Sequence, residues 1–129
     1  MSAPALAGRR LALIRIAMIS GVAVFLFLVW ALRRRGDMAP ASPELWTAMR
    51  ALLLISGIAV LGVAVFVRSR LASWSRDARG TAAILTWAVG EFAGLAGGMY
   101  LLTTGDQRGL LHAILAMGVA FIAAPVPRD

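Results

Sequence analysis

Cysteine is absent from the 129 residues, and so is lysine, which makes all thirteen basic side chains arginine. Without cysteine the chain can form no disulfide, no thioether haem attachment and no thiolate zinc site. Within its apolar runs one glutamate, one histidine, one tyrosine and scattered hydroxyls are all it offers for chemistry. Catalysis needs a base, a nucleophile or metal ligands gathered within reach, so the expectation is a protein that is not an enzyme and carries no metal or cofactor of its own. No soluble nucleic-acid-binding module is legible either, and the net charge of +7 does not read as nucleic-acid binding. The missing lysine reads as genomic composition rather than mechanism.

What fills the chain is hydrocarbon. Sixty per cent of the residues are apolar and the mean hydropathy is +0.83, against roughly 45–50% apolar in soluble domains. Four apolar runs stand out, at about 11–32, 46–67, 82–102 and 109–126. A helix needs about 20 apolar residues to cross the hydrocarbon, with a range of ~17–25. The first three runs meet that length, and the fourth, GLLHAILAMGVAFIAAPV, reaches its lower end. The predicted fold is therefore all-α: one transmembrane domain over residues 1–129, an antiparallel up-down four-helix bundle with short loops. Arg9-Arg10 before the first run resembles a signal peptide, but the run exceeds the ~7–15 residues of a signal core and Val29-Trp30-Ala31-Leu32-Arg33 is a poor cleavage site. It is read as an uncleaved span.

Helix punctuation divides the runs. Ser42, Pro43 and Glu44 read as an N-cap, a first-position proline and a first-turn acid. Gly105 can end the third helix, Asp106 can cap the fourth, and Pro125 and Pro127 stop it. Trp30, Trp46, Trp74 and Tyr100 fall near span ends, where aromatic belts form, and only Trp87 lies deeper.

If the helices alternate, Arg9, Arg10, Arg68, Arg70, Arg76, Arg79 and Arg128 share one side, with Arg15 just inside the first helix. Arg33, Arg34, Arg35, Arg50 and Arg108 share the other. Eight against five places both termini in the cytoplasm by the positive-inside rule. The expected setting is a bacterial inner membrane, with the arginine clusters that adjoin spans, Arg68, Arg70, Arg76 and Arg79 among them, touching lipid headgroups. In the loop 68–80, Leu71, Trp74 and Ala78 share one helical face, the pattern of a segment resting in the interface; a plain arginine-rich turn is the other reading. Residues 36–43 read as a surface connection.

The sextet Ile19-Ser20-Gly21-Val22-Ala23-Val24 is echoed by Ile55-Ser56-Gly57-Ile58-Ala59-Val60. Such an echo can mark duplicated transporter halves, but apolar runs use few letters, and a small Ser-Gly step for close helix contact explains it.

The third run holds the most specific features. Gly90, Gly94 and Gly98 form a GxxxGxxxG ladder, widened by Gly97, of the kind that lets helix backbones approach in lipid. Glu91 stands near the middle of that run, on the broad side of Trp87, Gly94, Leu95 and Gly98. An acid at that depth marks a functional site by default. Four roles are open to it: a neutral group hydrogen-bonded to a neighbour; an ion pair with Arg15; a proton or cation site in transport; or a contact with pigment, quinone or lipid belonging to a host complex.

His112 could ligate a metal or a chlorophyll-type magnesium. Antenna polypeptides that do so place a small residue four positions earlier, where this chain has Arg108. With Ala116, Ala120 and Ala124 near its face, a hydrogen bond at a tightly packed helix end is the favoured reading.

The stretch WAVGEFAGLAGGMYLL resembles the carboxylate-bearing helix of rotary ATPase proteolipid subunits, over about one helix of the four. The resemblance implies that Glu91 matches the ion-binding acid. Small multidrug transporters also have four short spans and one intramembrane glutamate, but theirs lies in the first helix. The functional expectation is a non-catalytic accessory subunit packed among other integral membrane subunits of a respiratory, ATP-synthase-linked or photosynthetic complex. The alternative is a proton-coupled small transporter acting as a homo-oligomer through Glu91.

Overall fold

The computed structural model describes residues 3–36 and 38–126, with side chains from residue 7 onward. Four α-helices occupy that range: α1 (Ala3–Arg34), α2 (Pro43–Arg70), α3 (Arg76–Thr104) and α4 (Arg108–Ala123). Pro127 and Arg128 lie outside the described residues.

The caps fall where short-range chemistry puts them. Ser42 Oγ accepts from Leu45 N at 3.2 Å, with Pro43 opening α2. Ser75 Oγ accepts from Ala78 N at 3.3 Å and starts α3. Gly105, at φ 73°, ends α3 in the left-handed region, its N–H bonded to Leu101 O, a conformation open to glycine without a Cβ clash. Asp106 meets α4 one residue before the formal cap, Oδ1 accepting from Arg108 N at 2.9 Å.

Two expectations need correction. α4 stops at Ala123 rather than reaching residue 126, because the ring of Pro125 disfavours helical backbone at Ala124, found at φ −121° and ψ 81°. Its 16 residues rise about 24 Å, less than the about 30 Å of hydrocarbon. Among the described residues three helices, not four, are long and apolar enough to cross a membrane. Nor is the segment 68–80 one interfacial helix. A 3-10 turn, Leu71–Ser73, follows α2 directly, and Trp74 is extended. Arg79 folds back, donating from Nε to Trp74 O at 3.0 Å and from Nη2 to Ala72 O at 3.4 Å. Leu71 and Trp74 pack on a cluster of Val67, Ala83, Trp87, Phe121 and Ala124, while Ala78 is exposed.

α3 is the hub. It packs against each of the other three helices, while α1 and α2 share little contact. It is also the least apolar of the three long helices and the most buried, which makes physical sense because a helix wrapped by neighbours needs less apolar surface of its own. The glycines permit the wrapping, and they divide it. A Cβ on Gly90 would run into Ala120, and one on Gly97 into the Gly109 carbonyl and Ala113, so both serve α4. Gly98 faces Phe25 and Leu26 of α1, and a Cβ on Gly94 would come within 2.9 Å of both Met117 and Val22. Ala113, Ala116 and Ala120 are the buried small residues opposite.

Contacts rise together along α1 and α3, from Leu11 at Gly80 through Phe25 at Gly98 to Arg33 at Gly105, and run oppositely between α3 and α4. The two Ser-Gly steps diverge in this setting. Ser56 is fully buried and Gly57 lies against His112, but Ser20 and Gly21 are exposed with open space beside Gly21. Shared letters do not give a shared role.

The division among glycines is testable. Gly97→Ala should lower stability by about 1–3 kcal/mol through overpacking. Gly62→Ala and Gly118→Ala, where a Cβ meets nothing within 4 Å, should be neutral or stabilising by up to about 1 kcal/mol. Denaturant unfolding in detergent measures both, and equal effects at all three sites would contradict the close α3–α4 approach.

Candidate functional site

Glu91 occupies an edge. One helical turn away on one side are the buried Trp87 and Gly94, and Gly98 lies a further turn on; Ala88, Phe92 and Leu95 beside it are exposed. The side chain is half-buried, and among the described residues its carboxylate makes no hydrogen bond or ion pair. The helices that flank it supply no donor.

Arg15, the partner considered from sequence, is engaged elsewhere. Its Nη2 donates to Phe121 O at 3.5 Å, and its guanidinium lies 5.9 Å from the Trp87 ring centre and 5.5 Å from that of Phe121. Trp87 and Phe121 stack at 5.7 Å and 13°. Trp87 Nε1 donates to Ala124 O at 2.8 Å, satisfying a carbonyl left over where α4 ends. Arg15 therefore bridges α1 to the end of α4, a cation at a helix C-terminus where the macrodipole favours it. The pairing with Glu91 is not what forms, because the α4 carbonyl and two aromatic faces already hold the guanidinium.

Arg33 repeats the device at the other end of α1. Its Nε donates to Leu101 O at 3.0 Å in the last turn of α3. Neither arginine stood out as a cap, since the bonds cross between helices. The available signal was an arginine near each end of one apolar helix, with helix stops at Gly105 and Pro125.

His112 makes the expected hydrogen bond. Its Nε2 lies 3.0 Å from Ser56 Oγ, joining α4 to the middle of α2. Ala116 and Ala120 fall on the α3 contact instead, in a cluster with Val60 and Ala93.

The aromatic positions differ among themselves. Trp30 is exposed under Arg34, whose guanidinium sits 4.6 Å from its ring, and Trp46 meets Arg50 at 5.4 Å. Tyr100 is buried rather than lipid-facing: its hydroxyl donates to Asp106 Oδ2 at 3.3 Å and its ring packs edge-on against Trp46. Trp74 is half-buried beside Phe66. Arg68, Arg70 and Arg76 are exposed, while Arg79 is partly buried in the turn it closes.

This arrangement defines a helical bundle, three of whose helices are long and apolar enough to cross a membrane, with an unmatched acid in the middle of its central helix among the described residues. Comparison with known proteins finds no matching family model, no similar characterised protein and no similar solved structure.

Trp87→Phe keeps the ring stack but orphans the Ala124 carbonyl, and should cost about 1–2 kcal/mol. Trp30→Phe, at an exposed position, should change stability by less than about 0.5 kcal/mol. Equal unfolding midpoints for both variants in detergent would remove the structural role of the indole N–H.

Proposed function

We propose that the chain is a non-catalytic accessory subunit that packs, through the Glu91 edge of α3, into a larger bacterial membrane complex of respiratory, ATP-synthase-linked or photosynthetic type. The observation that carries this reading is the unmatched carboxylate in the middle of the central helix, bordered by Ala88, Phe92 and Leu95. An acid at the centre of a spanning helix costs about 2.5–3.5 kcal/mol on insertion scales, and a donor on a neighbouring subunit, or on a lipid, quinone or pigment held there, would offset it. The small share of the chain outside its apolar helices and the shortage of catalytic groups support the same reading.

In this proposal the helices alternate across the bilayer as an up-down bundle, α4 completing the set despite its length, and both termini are cytoplasmic. The registers along α1, α3 and α4 and the eight-to-five arginine distribution support that arrangement. The chain has no native cysteine, so single Ser2→Cys and Ser42→Cys variants report topology directly. An impermeant thiol reagent added outside should label position 42 and spare position 2; labelling of position 2 would invert the assignment.

The second reading, a proton-coupled oligomeric transporter, draws on the same carboxylate: a titratable group with no fixed partner in its own chain can take up and release a proton. The likeness of α3 to the proteolipid carboxylate helix favours it. Glu91→Gln separates the two, since an amide keeps size and hydrogen bonding but cannot carry a proton near neutral pH. The accessory subunit should assemble normally with glutamine, and neither form should move protons in liposomes. Proton-driven flux in the wild type that vanishes in the variant, with assembly intact, would overturn the accessory reading.

A further inference from the structure

We infer that the groove between α2 and α4 is a binding site for a membrane-soluble hydroquinone, with His112 Nδ1 accepting a hydrogen bond from the ring hydroxyl. In the assigned tautomer the single Ser56 hydroxyl proton goes to Leu53 O, 3.1 Å away, and Nε2 is the donor in the 3.0 Å contact with His112. Nδ1 is then the bare acceptor of a neutral imidazole. It has no partner among the described residues, and the ring borders a cavity of about 170 Å³ lined otherwise by side chains such as Val60, Leu61 and Leu115.

That cavity holds a head group of one ring, and it continues into more space. Leu61 and Val119 also line a second groove, of about 470 Å³, which runs past Ala64 and Ile122 to Arg68. From Gly57 to Arg68 is eleven residues, or about 16 Å of helix. The combined shape suits a compact polar ring with an apolar tail laid along α2.

Position and polarity select the occupant. Ser56 and Gly57 lie at the middle of α2 (Pro43–Arg70), so in a bilayer the acceptor sits at hydrocarbon depth. Phospholipid head groups stay at the interface, whereas isoprenoid-type quinols place their ring within the core. An acceptor also discriminates by redox state: a hydroquinone O–H can donate to Nδ1, while a quinone carries only acceptor oxygens. The groove lies on α2 and α4 and Glu91 on the edge of α3, so this site and the subunit reading stand or fall separately.

The test uses the full chain purified in mild detergent and titrated calorimetrically with decylubiquinol and decylubiquinone. The reduced form should bind at least about tenfold more tightly, the equivalent of about 1.4 kcal/mol. His112→Leu should remove that preference. Val119→Trp, which fills the groove from its open side and leaves the Ser56–His112 bond untouched, should weaken both forms at least about tenfold and keeps the test decisive if the histidine variant does not fold. Equal affinity for the two redox forms would mean apolar filling only and overturn the proposal, as would no binding, or an unchanged preference in His112→Leu.

Discussion

The fold depends on how closely the backbones of α3 and α4 approach. Gly90 and Gly97 of α3, with Gly109, Ala113, Ala116 and Ala120 of α4 opposite, leave no room for a larger side chain between the two helices. In lipid, where apolar burial between helices yields little, such contact supplies dispersion attraction that larger residues would prevent. Once α3 is joined to α4 it offers its remaining faces to α1 and α2, which explains why those two need not touch each other.

On this packed pair α1 is fastened at two points by charge rather than by shape. Arg15 reaches Phe121 O near the end of α4, a carbonyl that Pro125 leaves without a backbone donor, and Arg33 adds a second donor to Leu101 O in the last turn of α3, beside the Gly105 N–H. Read along the chain the same residues are charges to be counted on one side or the other, whereas as side chains they close the bundle. Trp87 does comparable work without charge, closing the carbonyl of Ala124.

Helix positions were legible from the sequence because caps and apolar length act locally. Ser42, Pro43 and Gly105 acted as local rules predict. The end of α4 was misjudged, since apolar length was weighed above the constraint Pro125 puts on Ala124. The loop at 68–80 was legible only as alternatives: its form depends on Arg79 reaching back to two carbonyls and on Trp74 joining a cluster that includes α3 and α4. The glycine ladder was visible, but not its division between two neighbours. At the candidate site, the place of Glu91 in the middle of its run was plain, and its lack of a partner was not. That depended on Arg15 being taken by Phe121 and Trp87, a competition set by tertiary packing. Tyr100 was misplaced for a similar reason, because aromatic residues at span ends look alike until Asp106 and Trp46 claim one of them.

The brevity of α4 has a mechanical consequence. A 16-residue rod beside neighbours of 28 and 29 residues leaves the bundle short on its α4 side. Where the bundle spans a bilayer as proposed, the lipid beside α4 would thin by several ångströms, at a modest cost for each ångström of mismatch. The protein would then gather thin or deformable lipid around that one side of itself.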